Sequence, residues 1–370
     1  MINNLTKISF FLPNLSGGGA ERSIVELSNF FSNKDYDVDL ILAENKGKYF
    51  DEVNEKTRLV ILNKNSRLQI IFSLTKYLIK RKPNVIFSGG DLTNLTNILA
   101  SIFSLNLNKC VIGQRSIIQD NWELKYPNTN KFYTSLIKVL YRLPQLIICN
   151  SYASYDELES YGFKRKNLRV IRNYLNINSI TEKSLMVNDN YQDLIKTEFV
   201  LGVGSLSEVK DFKTLIRAFK ILNKTDNQIN LIILGEGSKR SELEGLIKQL
   251  NLSQNVFLLG FQNNPFPFFA NCLCYVSTSI AEGCPNTVLQ SLVFNKPIIS
   301  TMSSGDTIEI LEQGKYGELV EIGDYKKIGN LLVMLSTKSS SKFTQNINRA
   351  KSFSGLSSFE SYEEQFKSII

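Results

Sequence analysis

The chain has 370 residues, 43% hydrophobic and 21% charged, the composition of a soluble globular protein long enough for two domains. It contains no histidine, which excludes histidine-based triads, paired-histidine zinc sites and imidazole acid–base pairs. The net charge of +8 is lopsided: residues 1–185 hold 25 Lys and Arg against 16 Asp and Glu, and residues 186–370 hold 18 against 19, so the first half suits an anionic membrane, an anionic substrate or nucleic acid.

The opening MINNLTKISFFLPNL carries one Lys and a short apolar stretch, Ile8–Leu12, that stops at Pro13. It is too short for a secretory signal, and no apolar run approaches the roughly 18 residues of a spanning helix. A cytoplasmic protein is expected. Lys7–Leu12 reads as a strand and Pro13–Gly19 as a loop, after which Ala20, Ile24, Leu27 and Phe31 recur at helical spacing. Further strands are expected at Asp37–Leu42, Leu59–Leu62, Asn84–Phe87, Cys110–Ile112, Leu146–Cys149 and Leu168–Ile171, with helices between most of them. Asn176–Lys196 is polar and reads as a linker. The rhythm then restarts with a strand ending at Gly204, a helix over Phe212–Leu222, strands at Leu231–Leu234, Val256–Leu259 and Leu273–Val276, a helix from about Pro285 and a strand at Pro297–Ser300. Ser357–Ile370 reads as a last helix. Apolar strands separated by helices imply an α/β fold of two doubly wound, Rossmann-like domains. The expected limits are 1–178, a linker at 179–196, 197–352, and a C-terminal helix in 353–370 returning toward the first domain. In such sheets ligands sit at the carboxyl ends of strands, so the loops there are where chemistry is sought.

Three loops stand out. Ser279-Ile280-Ala281-Glu282-Gly283-Cys284-Pro285-Asn286-Thr287-Val288 follows an apolar strand. Gly283 permits a tight turn and Pro285 suits the first turn of a helix. The N–H groups of Asn286, Thr287 and Val288 would then face a phosphate, with Glu282 beside whatever the phosphate carries. Gly202-Val203-Gly204-Ser205 leads to Lys210, a point charge suited to a diphosphate. Leu234-Gly235-Glu236-Gly237-Ser238 is turn chemistry. The five cysteines are odd in number and mostly in apolar runs, which reads as reduced, buried thiols.

In this order and spacing the loops resemble glycosyltransferase family 4, the retaining enzymes of the GT-B fold, over most of residues 199–325. The run from Gly260-Phe261-Gln262 to Phe268 and the later Tyr316–Val320 belong to the resemblance. The N-terminal Gly17-Gly18-Gly19-Ala20-Glu21-Arg22 looks like the family's glycine-rich first loop. The nearest likeness is to bacterial transferases that build O-antigen, capsule and other surface polysaccharides. The resemblance implies two domains facing across a cleft, with a UDP-sugar donor and no metal or other cofactor. It implies a saccharide acceptor, lipid-linked in the expected case. Glu282 would lie by the transferred sugar and Lys210 at the diphosphate. Gly18, Gly19, Gly204, Ser205, Pro285, Asn286, Thr287 and Val288 would line the donor, and Gly260, Phe261 and Gln262 the base. The chain departs from the family pattern in three places. Gln290 stands where a second Glu holds the ribose, and an amide lacks the charge assistance of a carboxylate. Ser205 replaces an arginine. A histidine of the first domain is missing, and Arg115, in Gly113-Gln114-Arg115-Ser116, is its expected catalytic substitute.

Asp35-Tyr36-Asp37-Val38-Asp39 contains Asp-x-Asp twice, but on the amino side of a strand, which reads as a turn entering a strand rather than a metal site. Leu68–Lys82 and Lys131–Arg142 mix apolar and basic residues. They fit either peripheral contact with the anionic inner face of the cell membrane or helices packed on the sheet with lysines reaching solvent. No nucleic-acid module is recognisable. A UDP-sugar epimerase of the same fold and a non-catalytic nucleotide-sugar-binding protein remain as alternatives.

Overall fold

The computed structural model describes residues 5–125, 130–337, 345–354 and 357–370. It divides into two compact units, Met1–Tyr174 with Leu356–Ile370, and Leu175–Gly355.

The first unit is built on seven parallel strands: β1 (Thr6–Leu12), β2 (Tyr36–Leu42), β3 (Arg58–Ile61), β4 (Val85–Gly89), β5 (Cys110–Gln114), β6 (Leu146–Cys149) and β7 (Leu168–Val170), in the order β3-β2-β1-β4-β5-β6-β7. Ile8 pairs with Val38 on one side and Val85 on the other. Central strands covered on both faces must be apolar throughout, and β4 and β5 are buried along their whole lengths. Phe11, Ile86 and Ile112 form one core with Leu74, Leu78, Ile98 and Ile137. These four come from helices Arg67–Arg81, Asp91–Phe103 and Asn130–Leu140.

Phe10 and Phe87 meet the chain's last helix, Ser357–Lys367. Phe359, Tyr362 and Phe366 share one face of it by their spacing. The Phe366 ring stacks on Phe31 at 5.4 Å and lies 5.8 Å from Phe87, while Phe359 lies 4.5 Å from Tyr174. Burying each phenyl ring is worth about 1.5–3 kcal/mol.

Asp37 and Asp39 lie inside β2, as the expected strand has them, and Asp35 lies in the turn before it. Asp39 is buried and accepts from Arg58 at 2.5 Å, from Arg81 at 2.8 Å and from Tyr77, and Arg81 also binds Asp37. These aspartates therefore serve the sheet.

The second unit has six parallel strands: β8 (Phe199–Val203), β9 (Asn230–Leu234), β10 (Val256–Leu258), β11 (Cys274–Ser277), β12 (Ile298–Thr301) and β13 (Glu318–Val320), in the order β10-β9-β8-β11-β12-β13. Strand order reverses between β8 and β11, so the sheet's topological switch point lies there. The strand β13 was not anticipated, because Glu318-Leu319-Val320 offers only two apolar residues in a row.

The expected linker is corrected by the structure. Asn176–Lys196 folds as helix Ile177–Ser184, a 3-10 turn Asp189–Tyr191 and helix Gln192–Lys196, all in the second unit. Ile180 and Ile195 are buried against Phe266 and Phe268. The asparagines that suggested a linker are caps: the side chain of Asn176 accepts from Ser179 N at 3.0 Å and that of Asn188 from Asn190 N at 3.0 Å. Asn favours such positions because its oxygen satisfies an orphan N–H. All five cysteines are buried and free.

Candidate active site

The second unit's switch point collects the strongest candidates. β8 runs into Gly204–Asp211 and β11 into Thr278–Pro285, and the two loops bind each other directly. Ile280 N donates to Val209 O at 2.8 Å, and Thr278 Oγ1 to Lys210 O at 2.9 Å. Between them the Lys210 ammonium pairs with the Glu282 carboxylate, and both side chains are largely buried. Ser279 Oγ donates to the same oxygen, Glu282 Oε1, at 2.7 Å.

Local sequence explains this placement. Gly204 has no side chain, and a Cβ there would meet the Lys210 stem at 3.1–3.3 Å; the lysine lies across the glycine to reach Glu282. Lys210 closes a 3-10 turn, Glu208–Lys210, and the next residue, Asp211, is left-handed with φ of 41°. Asp tolerates that region better than most residues, and its carboxylate caps helix Phe212–Thr225 through Thr214 N. Burial raises the Asp211 pKa against those cap bonds. Glu208 is anchored by Lys239 at 2.6 Å.

Glycines bring further loops close. Gly235, with φ of +143°, packs where a Cβ would overlap the Gly204 carbonyl oxygen, and its N–H donates to Gly260 O at 2.8 Å. Sequence reading missed the loop after β12, Ser303-Ser304-Gly305-Asp306. It clamps the Glu282 loop: Glu282 N donates to Ser304 O at 3.0 Å and Asp306 N to Gly283 O at 3.0 Å, and Gly305 packs on the Glu282 carbonyl. Its only sequence signal is Ser-Ser-Gly-Asp at the end of an apolar strand.

The helix after Glu282 narrows one expectation. It spans only Asn286–Leu292, with Pro285 as its cap. The Val288 N–H donates to Pro285 O at 3.1 Å, so it is not open to a phosphate. Tyr275 OH donates to Thr287 Oγ1 at 2.7 Å, which fixes the first turn on the sheet. Gln290 lies on this helix, partly exposed, with no hydrogen bond to a described residue from its amide. Ser205 is exposed and bonded to Ser207 at 3.1 Å. Gly260 is left-handed, φ 75°. Gln262, two residues on, donates to Leu259 O at 2.9 Å and Tyr191 OH at 3.1 Å, while Phe261 stands between them.

Three candidates belong to the first unit. Gly18 caps helix Gly19–Ser32, and the Glu21 carboxylate folds back to where a Gly18 side chain would be. Arg115 follows β5 directly. Its guanidinium donates to Tyr362 OH at 2.9 Å and Asn173 Oδ1 at 3.3 Å and lies 5.7 Å from the Phe87 ring centre. It therefore joins the last helix to the sheet, a role no local pattern around Arg115 announces. Among the described residues no group of three or more Cys, Asp or Glu is placed to hold a metal ion.

A sequence profile described as glycosyl transferases group 1 matches residues 192–350, and one described as Glycosyltransferase Family 4 matches residues 17–179. A Campylobacter jejuni protein, N-acetylgalactosamine-N,N'-diacetylbacillosaminyl-diphospho-undecaprenol 4-alpha-N-acetylgalactosaminyltransferase, is 31% identical over 86% of this chain and 87% of its own. The chain belongs to the family 4 glycosyltransferases. The lipopolysaccharide core biosynthesis glycosyltransferase LpsE of Rhizobium meliloti is 26% identical over 83% of this transferase and 82% of its own length. The solved structure of Anabaena Alr3699/HepE with UDP-glucose matches 98% of this transferase and 99% of that chain, with a TM-score of 0.81 at 20% identity. The transferase thus has the two parallel-sheet units of the GT-B fold. Its Lys210–Glu282 pair occupies the place where such sheets take ligands.

Proposed function

We propose that this transferase is a retaining, metal-independent enzyme that moves a hexose or N-acetylhexosamine from a UDP-sugar to a lipid-linked saccharide in the assembly of a surface glycan. The observation that carries the reading is the Lys210–Glu282 pair at the β8/β11 switch point. An ammonium and a carboxylate side by side match the two ends of a nucleotide-sugar. The diphosphate replaces Glu282 as the counter-ion of Lys210. Glu282, still held by Ser279, then accepts hydrogen bonds from sugar hydroxyls. Gln290 offers an uncharged carbonyl to the ribose in place of a carboxylate.

The acceptor oxygen attacks the anomeric carbon on the face from which the diphosphate departs, and a leaving phosphate oxygen takes the acceptor proton. The protein's task is to position the partners and to stabilise charge on the leaving group. Lys210 performs the second, and Asp37 and Asp39 are committed to Arg58 and Arg81 rather than to a metal. A donor of the UDP type is supported by the UDP-glucose complex of the Anabaena neighbour. A lipid-linked acceptor is supported by the name of the Campylobacter relative, which also specifies an α product. UDP-hexoses are themselves α anomers, so an α product from such a donor means retention.

The test is transfer from a panel of UDP- and GDP-sugars to a polyprenyl-diphosphate-linked saccharide, with the product anomer read by NMR. An α product formed equally well in EDTA, and thermal stabilisation by UDP but not GDP, is expected. Stabilisation by GDP alone, a β product, or conversion of the UDP-sugar without acceptor would overturn the reading.

A further inference from the structure

We propose that the outer face of helices Arg67–Arg81 and Asn130–Leu140 is a docking surface for an anionic lipid bilayer. Both helices have two apolar sides where a helix on a sheet needs only one. In Arg67–Arg81 the inner side is Ile71, Leu74 and Leu78, all buried. The outer side carries Leu68, Phe72 and Ile79 in solvent, with Phe72 65% exposed. Lys76 and Lys80 complete that stripe by their spacing, and neither has a carboxylate partner among the described residues. In Asn130–Leu140 the inner Ile137 is buried, while Phe132 is 67% and Val139 64% exposed, and Leu143 is exposed just beyond the helix.

Helix Asp91–Phe103 packs against both helices, and one side chain links their first turns directly. Arg67 Nη1 donates to Tyr133 OH at 3.0 Å, which ties the first turn of one helix to the other. Exposed phenylalanines cost nothing if single, but rows of apolar side chains interleaved with lysines mark an interaction site. The charge pattern is one-signed: no Asp or Glu occurs in residues 56–90 or 124–155. A cationic face with aromatic and aliphatic side chains between its lysines is what the boundary of an anionic bilayer accepts, the rings entering the acyl edge and the ammonium groups meeting phosphates. Nucleic acid would use the lysines and leave Leu68, Phe72 and Val139 wet. A two-fold contact between copies would set Lys76 and Lys80 against their own like charges. No described helix is long and apolar enough to cross a membrane, so the contact lies on the surface. The inference deepens the lipid-linked acceptor reading and rests on it for its purpose.

Vesicles without acceptor or donor test binding separately from catalysis, so either reading can fail alone. The full chain is sedimented with phosphatidylcholine vesicles with and without phosphatidylglycerol. Binding that requires phosphatidylglycerol and weakens with salt is expected. Lys76→Gln/Lys80→Gln lowers the apparent affinity by about thirtyfold, and Phe72→Ser/Phe132→Ser abolishes binding, while both variants keep the wild-type melting temperature. Absence of wild-type binding to phosphatidylglycerol vesicles, unchanged binding by both folded variants, or a wild-type dimer in light scattering that Phe72→Ser/Phe132→Ser dissolves would overturn the proposal.

Discussion

Lys210 reaches Glu282 only because the space above Gly204 is empty. Gly204→Ala should push the lysine stem by a few tenths of an ångström and lower kcat/KM about tenfold, with little change in melting temperature. Gly235→Ala, with φ of +143° and the Gly204 carbonyl in its way, should instead lose about 2 kcal/mol or more of stability, read by chemical denaturation. On the proposed mechanism Lys210→Ala removes the charge that faces the leaving group and should cost on the order of a hundredfold or more in kcat; single-turnover kinetics with saturating donor separates this from weaker binding. Glu282 and Lys210 were legible in the sequence because glycines and a proline punctuate the ends of apolar strands on either side of them. Ser304 and Gly305 were not, because they act through backbone groups on a loop that comes close only once β11 and β12 pair. Asp39 was placed in its strand, but its burial against two arginines was not legible, because they come from β3 and from a helix some 40 residues on.

At the scale of elements, the last helix is held by charge as well as by rings. Burial alone would raise the Glu363 pKa, but bonds from Lys34, Lys367 and Tyr36 outweigh it and hold the carboxyl at about 2 against a usual 4.5. A depressed folded pKa adds stability that is complete above 4.5 and is lost as pH falls toward 2. Glu363→Gln should therefore be less stable at neutral pH, and its melting temperature should fall less steeply than wild type between pH 4.5 and 2. Phe366→Ala removes a buried ring that touches Phe10, Phe31 and Phe87 and should cost about 3–5 kcal/mol. The long helices and most strands could be read from periodicity alone. The Asn176–Lys196 segment could not, because its buried Ile180 and Ile195 are too far apart to show a period, and its caps look like loop residues.

At the scale of the molecule, two units with separate cores should respond separately to ligand. The single tryptophan, Trp122, is buried in the first unit. UDP added during thermal unfolding should raise the transition seen by far-ultraviolet circular dichroism and leave that seen by tryptophan fluorescence nearly unmoved. A common shift in both would mean that the units unfold together. That both units are α/β was plain from the sequence, and the last helix was expected to return toward the first domain, although the residues of an amphipathic helix do not themselves name its partner. The partner is the first unit, and this has a consequence at the ribosome. The residues Leu175–Gly355 must all be made before Ser357–Lys367 arrives, which at roughly 5–20 residues per second takes about ten to forty seconds. During that interval Phe10, Phe31 and Phe87 lack the rings that cover them in the finished protein. The nascent chain is then most open to a chaperone, or to its neighbours on the same message, although its first sheet is already complete.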